Sequence, residues 1–307
     1  MERIPYDEFS MFADNASEYG IPYDGPPTVR REVVEVDPGR RLSALVWGTG
    51  DPELVFLHGG AQNAHTWDTV ALALDRPLVA IDLPGHGHSD GGREGSLGVP
   101  DNAKDVAVVI RALAPDAKAV IGMSLGGLTT LSLADQFPEL VRAIVLVDVT
   151  PGVSRESSKQ ITDFVNGPES FPNFDELLER TMKYNPTRTE SSLRRGILHN
   201  AVQRDDGSWV WRYQRFRAQE PVAAQVSDDE RAAMFGTLWD AVERVKVPLL
   251  LARGMRDQSV VTDENEVELL QRLPSAQVEH FEEAGHSLQG DTPVELARSI
   301  ERFVDLS

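Results

Sequence analysis

Several side chains in this sequence are of the types, and at the spacing, that would make a serine nucleophilic. Gly122-Met123-Ser124-Leu125-Gly126 follows the apolar run Ala119-Val120-Ile121 and leads into a helical pattern. A strand that turns sharply into a helix holds its middle residue in strained geometry with the side chain exposed. Glycine is needed on either side, where a Cβ would strike the neighbouring strand or helix. Ser124 would stand at a helix N-terminus, where backbone N–H groups and the helix dipole favour negative charge. A serine hydroxyl is a poor nucleophile until a base removes its proton, and that base must be oriented by a carboxylate. Of the seven histidines, His286 lies in Glu283-Ala284-Gly285-His286-Ser287, after the last strand pattern and before the last helix. A loop at the carboxyl end of a sheet strand can reach a nucleophile on another strand, so His286 is the expected base.

Two strand-end carboxylates compete as its partner, Asp257 after Leu249-Leu250-Leu251-Ala252-Arg253-Gly254-Met255 and Asp148 after Ala143-Ile144-Val145-Leu146-Val147. Both satisfy the chain order serine, acid, histidine. Asp257 comes from the strand directly before the one that delivers His286 and is the expected acid, with Asp148 as the fallback. An oxyanion needs a second donor opposite the helix. Leu57-His58-Gly59-Gly60-Ala61 offers bare backbone after an early strand, which pairs the N–H of Gly60 with that of Leu125.

These residues need a parallel sheet to bring them together. Four short runs beginning at Leu54, Leu78, Ala119 and Ala143 are continuously apolar, which predicts strands covered on both faces, and the strand pattern resumes at Val247 and again at Gln277. Helical spacing separates them at residues 101–113 and 125–137. Earlier, residues 29–36 and 42–47 flank Asp37-Pro38-Gly39 and predict a hairpin. The pattern changes from 151 to 244, where polar helical stretches are broken by Pro168, Pro172, Pro186 and Pro221 and no buried strand is expected. The predicted organisation is an N-terminal extension at 1–28, a core at 29–150 and 245–307, and a mainly helical cap at 151–244. A last helix starts near Thr292-Pro293-Val294-Glu295, with Thr292 as its expected cap.

Composition narrows the partners. The 307 residues carry 30 Lys and Arg against 49 Asp and Glu, a net charge of −19, which opposes binding to nucleic acid or an anionic membrane. The absence of cysteine excludes disulfides, thiolate metal sites and a cysteine nucleophile. The N-terminal residues lack the basic start and apolar stretch of a signal peptide, and no apolar run approaches the ~18 residues of a membrane span. The expected setting is the cytoplasm.

Taken in order, His58-Gly59-Gly60, Asp82-Leu83-Pro84-Gly85-His86-Gly87-His88-Ser89, Gly122-Met123-Ser124-Leu125-Gly126, Asp257 and Gly285-His286 resemble the α/β-hydrolase superfamily, in its cap-bearing branch, over about residues 29–305. The resemblance implies an eight-stranded, mostly parallel sheet flanked by helices, a lid inserted after the sixth strand, a Ser124–His286–Asp257 triad and an oxyanion hole from Gly60 and Leu125. It implies no metal ion and no organic cofactor. Relatives that open epoxides or remove halides carry aspartate where this chain has Ser124. Many relatives also have a proline shortly after the His-Gly pair, where this chain has Gly60-Ala61-Gln62-Asn63. The Asp82 loop is read as structural, with Asp82 and Ser89 hydrogen-bonding within it.

In the cap, Trp209, Trp211 and Tyr213 share a face if extended and either pack the lid or line the pocket; Trp67 is a further pocket candidate. Arg194, Arg195, Arg212, Arg215 and Arg217 either attract a carboxylate substrate or form a solvated helix face, and the solvated face is the expected reading. The expected activity is hydrolysis of a small hydrophobic carboxylic ester or lactone through an acyl-enzyme on Ser124. The alternatives are carbon–carbon, amide, thioester or cofactor-free peroxide chemistry on the same triad, or a non-catalytic ligand receptor of the same fold.

Overall fold

The computed structural model describes residues 3–93, 96, 98–213 and 228–306. After helix α1 (Phe12–Tyr19), the predicted hairpin forms as β1 (Val29–Asp37) and β2 (Arg40–Trp47), with Gly39 supplying the turn's positive φ of 75°. The first four apolar runs become β3 (Leu54–Leu57), β4 (Leu78–Ile81), β5 (Ala119–Met123) and β6 (Ile144–Val147). Helices α2 (Asp68–Leu74), α3 (Val99–Leu113) and α4 (Leu125–Gln136) lie between them.

The insert then contributes α5 (Lys159–Val165), β7 (Ser170–Phe171), α6 (Phe174–Tyr184), α7 (Glu190–Asn200), β8 (Ala201–Gln203), β9 (Trp209–Trp211) and α8 (Asp228–Arg244). The chain returns to the sheet through β10 (Leu249–Gly254), α9 (Asp263–Arg272), β11 (Gln277–Phe281), α10 (Leu288–Asp291) and α11 (Pro293–Leu306). The sheet has eight strands in the order β1-β2-β4-β3-β5-β6-β10-β11, antiparallel at β1–β2 and β2–β4 and parallel elsewhere. This is the expected α/β architecture.

Side chains alternate across each strand, which explains why the runs read as continuously apolar. Val55, Leu57, Val79, Ile81, Ile144 and Leu146 fill the layer shared with α3, α4 and α8. Leu54, Phe56, Leu78, Ala80, Val145 and Val147 fill the opposite layer with α1, α2 and α11. Two details differ from expectation. The insert is not free of strands, because β7, β9 and β8 make a small antiparallel sheet over its own core of Phe171, Phe174, Leu177, Leu193, Ile197 and Trp209. Strands of two or three residues are too short to print a period of two. Thr292 does not cap α11: among the described residues its buried hydroxyl has no partner. Leu238, Trp239 and Val242 place the end of α8 in the first layer of the body.

The N-terminal segment is anchored as well as appended. Phe12 packs on Trp47 with ring centroids 4.9 Å apart, and Arg195 of α7 donates to Asn15 (2.6 Å) and pairs with Glu18. Arg195 is therefore buried, against the expected solvated face, because α1 covers it. Arg215, Arg217 and Pro221 lie outside the described residues. Among those described, no helix is long and apolar enough to cross a membrane.

Candidate active site

Ser124 sits between the last residue of β5 and the first of α4, at φ 50° and ψ −116°. A side chain at positive φ is strained, and the surrounding glycines show what enforces the corner. A Cβ on Gly122 would stand 2.4 Å from the Gly126 carbonyl oxygen, and one on Gly126 would stand 2.2 Å from that of Leu57. Helix α4 can thus begin against both β5 and the end of β3 only because neither position has a side chain. Leu125 N–H is the first of the helix, and no acceptor among the described residues takes it.

His286 lies at the other side of the same pocket, which Ser124 and His286 both line. Its Nδ1–H donates to Asp148 Oδ2 over 2.8 Å. A carboxylate can only accept, so Nδ1 carries the proton and Nε2 is left to face a hydroxyl. The acid beside the histidine is therefore Asp148, the fallback, and not Asp257. Asp257 is exposed on the turn after β10.

The physical reason is a crossing that sequence adjacency does not reveal. The loop carrying His286 runs over the end of β10, where a Cβ on Gly254 would stand 2.2 Å from the Gly285 carbonyl oxygen. The imidazole is carried past β10 to β6, whose end holds Asp148. Asp148 is fully buried, and its other contacts are the N–H of Gly254 (3.0 Å), the hydroxyl of Ser259 (2.6 Å) and the N–H of Val260 (3.0 Å).

The Gly-rich loop after β3 faces this pair. Gly59, Gly60 and Ala61 line the pocket, and a Cβ on Gly59 would stand 2.4 Å from Met123 Sδ and 3.3 Å from Ser124 Cβ, so the loop rests closely on the serine corner. Gly60 N–H has no acceptor among the described residues. Two histidines to which the sequence reading gave no chemistry hold the loop. His58 donates from Nδ1 to the Gly59 carbonyl (2.7 Å) and accepts at Nε2 from Leu83 N–H (2.9 Å). His86 donates to the Pro84 carbonyl (3.0 Å) and accepts from Ala61 N–H (3.2 Å).

Each accepts at Nε2 and so must be neutral there. Burial, helped by the neighbouring His86, pushes His58 down to about 3, and burial also lowers His86. Within the loop, as expected, Asp82 accepts from His88 N–H and Ser89 donates to the Asp82 carbonyl, but Asp82 also reaches out of it to Ala64 N–H (2.8 Å) and Arg31 (2.9 Å).

The pocket has room for about 110 Å³ of solvent and is walled on the insert side by Gln160, Ile161, Phe164, Val165 and Tyr184. None of the four aromatic candidates is in this wall. Trp67 is 1% exposed and packs on Phe56 in the second core layer. Trp209 packs edge-on to Phe174 inside the insert. Trp211 stands behind Phe164, edge to face at 5.7 Å, and Tyr213 stacks on Trp211 and against His86. Of the four, Trp211 alone supports a wall residue from behind, with Tyr213 stacked on it. The wall comes mostly from a polar helix, α5, whose Ile161 and Phe164 were the available signal, with Tyr184 from the end of α6.

His65, Asp68 and His199 bring three buried ligand-type atoms within 4.8 Å of one another. The two imidazoles are nearly parallel, 11° apart with centroids at 3.9 Å, and a metal ion must lie in the plane of each ring that binds it. No single point satisfies both rings as they stand, so the trio does not fit a metal centre in this arrangement.

A family model described as the alpha/beta hydrolase fold matches residues 52–293. The chain belongs to the α/β-hydrolase family. It is accordingly an enzyme, a hydrolase. The hydrolase is 40% identical over 304 residues to Esterase Rv0045c of Mycobacterium tuberculosis (strain ATCC 25618 / H37Rv), covering 96% of this chain and 95% of that protein. A solved structure of that esterase, from work on its inhibition by transition metals, matches with a TM-score of 0.81, covering 98% of this chain and 100% of the other. The hydrolase is also 31% identical over 242 residues to a pimeloyl-[acyl-carrier protein] methyl ester esterase of Nitrosomonas europaea, over 77% of this chain and 89% of that one.

Proposed function

We propose that the hydrolase is a serine esterase that cleaves a small carboxylic ester, or its cyclic form, a lactone, through an acyl-enzyme on Ser124. The observation that carries this reading is the Asp148–His286 contact at 2.8 Å beside the pocket that Ser124 lines. His286 Nε2 takes the hydroxyl proton as Ser124 Oγ attacks the carbonyl carbon. The negative charge that develops on the carbonyl oxygen is met by the N–H groups of Gly60 and Leu125. The tetrahedral intermediate collapses, the alcohol leaves with the proton from His286, and a water deprotonated by the same imidazole releases the acid. Asp148 stays ionised throughout and holds the imidazole in the required tautomer.

The small pocket and the apolar side chains of Ile161, Phe164 and Val165 favour a short apolar acyl group, and the insert acts as the lid above it. The similarity to an esterase over nearly the whole chain supports the same bond class. The test is a series of nitrophenyl esters from acetate through butyrate and octanoate to laurate. Specificity should peak among the short acyl chains, and Ser124→Ala should abolish hydrolysis while retaining the wild-type circular dichroism spectrum. Undiminished turnover by folded Ser124→Ala would contradict the proposal.

A further inference from the structure

A second cavity, with room for about 80 Å³ of solvent, lies on the far side of Gln62, which lines both it and the serine pocket. That is several times the ~10–15 Å³ one water requires. Its walls come from α1, α7, α10 and the turn at Ala64–Trp67. Arg188, Arg195 and His65 line it, and no aspartate or glutamate is among the described lining residues. His65 is answered by Glu8 and Asp68 and Arg195 by Glu18, so Arg188 is the cation that stands apart.

The two arginines differ in how they are neutralised. Arg195 is saturated by Asn15, Ser191 and Glu18. Arg188 donates from Nη2 to Ser192 Oγ (2.5 Å) and makes no ion pair among the described residues. Its Nε is buried with no partner among the described residues. The acidic groups near enough to act on it are committed elsewhere: Asp291 accepts from Thr187 (2.9 Å) and from Gly285 N–H (2.9 Å), and Glu18 pairs with Arg195. The guanidinium lies tightly over Gly290, where a Cβ would stand 2.7 Å from Arg188 Cζ, so it cannot swing toward that side. Neutral donors complete the wall. Thr66, Thr69 and Asn200 lie along it, whereas His199, 4% exposed, has its Nδ1 bonded with the Tyr6 hydroxyl (2.9 Å) and its Nε2 turned to Asp68 Oδ2 at 3.7 Å. A desolvated cation without a counter-charge is costly, and an anion of matching geometry relieves that cost through charge-assisted hydrogen bonds.

We infer that this cavity is a binding site for a small carboxylate or oxyanion, held by Arg188 and the polar groups of α7 and α10. The anion is either free in solution or the carboxylate end of an ester substrate. The site touches the reaction centre through Gln62, whose Oε1 accepts from Gly59 N–H (3.1 Å) in the Gly-rich loop. This goes beyond the esterase reading, and its first test needs no turnover.

The full chain is melted in sodium malonate or phosphate and in sodium chloride of equal ionic strength and pH. The wild type should gain about 2 °C once the anion is in roughly tenfold excess over its dissociation constant. Arg188→Gln should lose the gain. Gln289→Glu, which brings a carboxylate to the same cavity, should also lose it and should melt above the wild type in chloride. That second variant keeps the test decisive if Arg188→Gln does not fold. Identical wild-type melting in all three salts, or a gain undiminished in folded variants, overturns the site. The source of the anion is read from nitrophenyl hydrogen succinate against nitrophenyl butyrate. A preference for the charged ester of about tenfold or more in kcat/KM, lost in Arg188→Gln, assigns the site to the substrate's own carboxylate. Equal use of the two esters with the melting gain intact assigns it to a free anion.

Discussion

A carboxylate can fix an imidazole only if it is itself fixed, and Asp148 is. Its Oδ1 receives Gly254 N–H and the Ser259 hydroxyl, and its Oδ2 receives Val260 N–H and His286 Nδ1–H, so each oxygen has two donors and no freedom to rotate. The Ser259 hydroxyl is the one side chain among the three supporting donors and therefore the one that can be removed cleanly. Ser259→Ala should lower kcat by about tenfold with KM nearly unchanged in steady-state ester hydrolysis, because what is lost is the aim of the base and not a substrate contact. At this scale Ser124 and His286, the proposed nucleophile and base, carry local signals: a glycine-flanked serine at a strand–helix junction, and a Gly-His after the last strand. Asp148 and Asp257 have equivalent local signals, and only the path of a distant loop separates them.

That path belongs to the elements. Gly254 lets the loop at Ala284 and Gly285 lie directly on the end of β10, with a virtual Cβ 2.2 Å from one carbonyl oxygen and 2.8 Å from the other. Gly254→Ala must push this loop outward, and a small displacement of a base is costly to rate. The expected outcome is a fall in kcat of roughly 10²-fold in a protein that still unfolds cooperatively. The core elements were readable because a strand buried on both faces announces itself as an unbroken apolar run, as at Leu54 and Leu78. The insert was not, since β7, β8 and β9 have two or three residues each and their Phe171, Trp209 and Trp211 look equally suited to a pocket. In place they face each other and Phe174, closing a small core of their own.

Across the whole molecule, the N-terminal segment ties the insert to the body. Glu8 bonds Arg31 (2.5 Å) and His65 (3.2 Å), and His65 in turn meets Asp68 (2.9 Å) and stacks on His199 of α7. Burial alone would lower His65, but Asp68 and Glu8 outweigh it and hold the ring protonated up to about 9. A folded-state value raised above 6.5 gives stability that is fully present below pH 6.5 and lost as pH rises through about 9. Glu8 behaves oppositely. Despite its own burial, His65 and Arg31 bring it down to about 2, so its contribution is present above pH 4.5 and lost as pH falls toward 2. Melting temperature should therefore decline between pH 6.5 and 9, and His65→Gln should flatten that limb in a differential scanning series. A limb equally steep in the variant would mean that other groups set it.

The central claim is that Asp148 orients His286, which activates Ser124. The most direct measurement is the rate at which a fluorophosphonate labels Ser124, followed by intact mass in the wild type, Asp148→Asn and Asp257→Asn. Labelling should slow by about 10³-fold or more in Asp148→Asn and stay within about twofold of wild type in Asp257→Asn. Fast labelling of a folded Asp148→Asn alongside a slow Asp257→Asn would contradict the account.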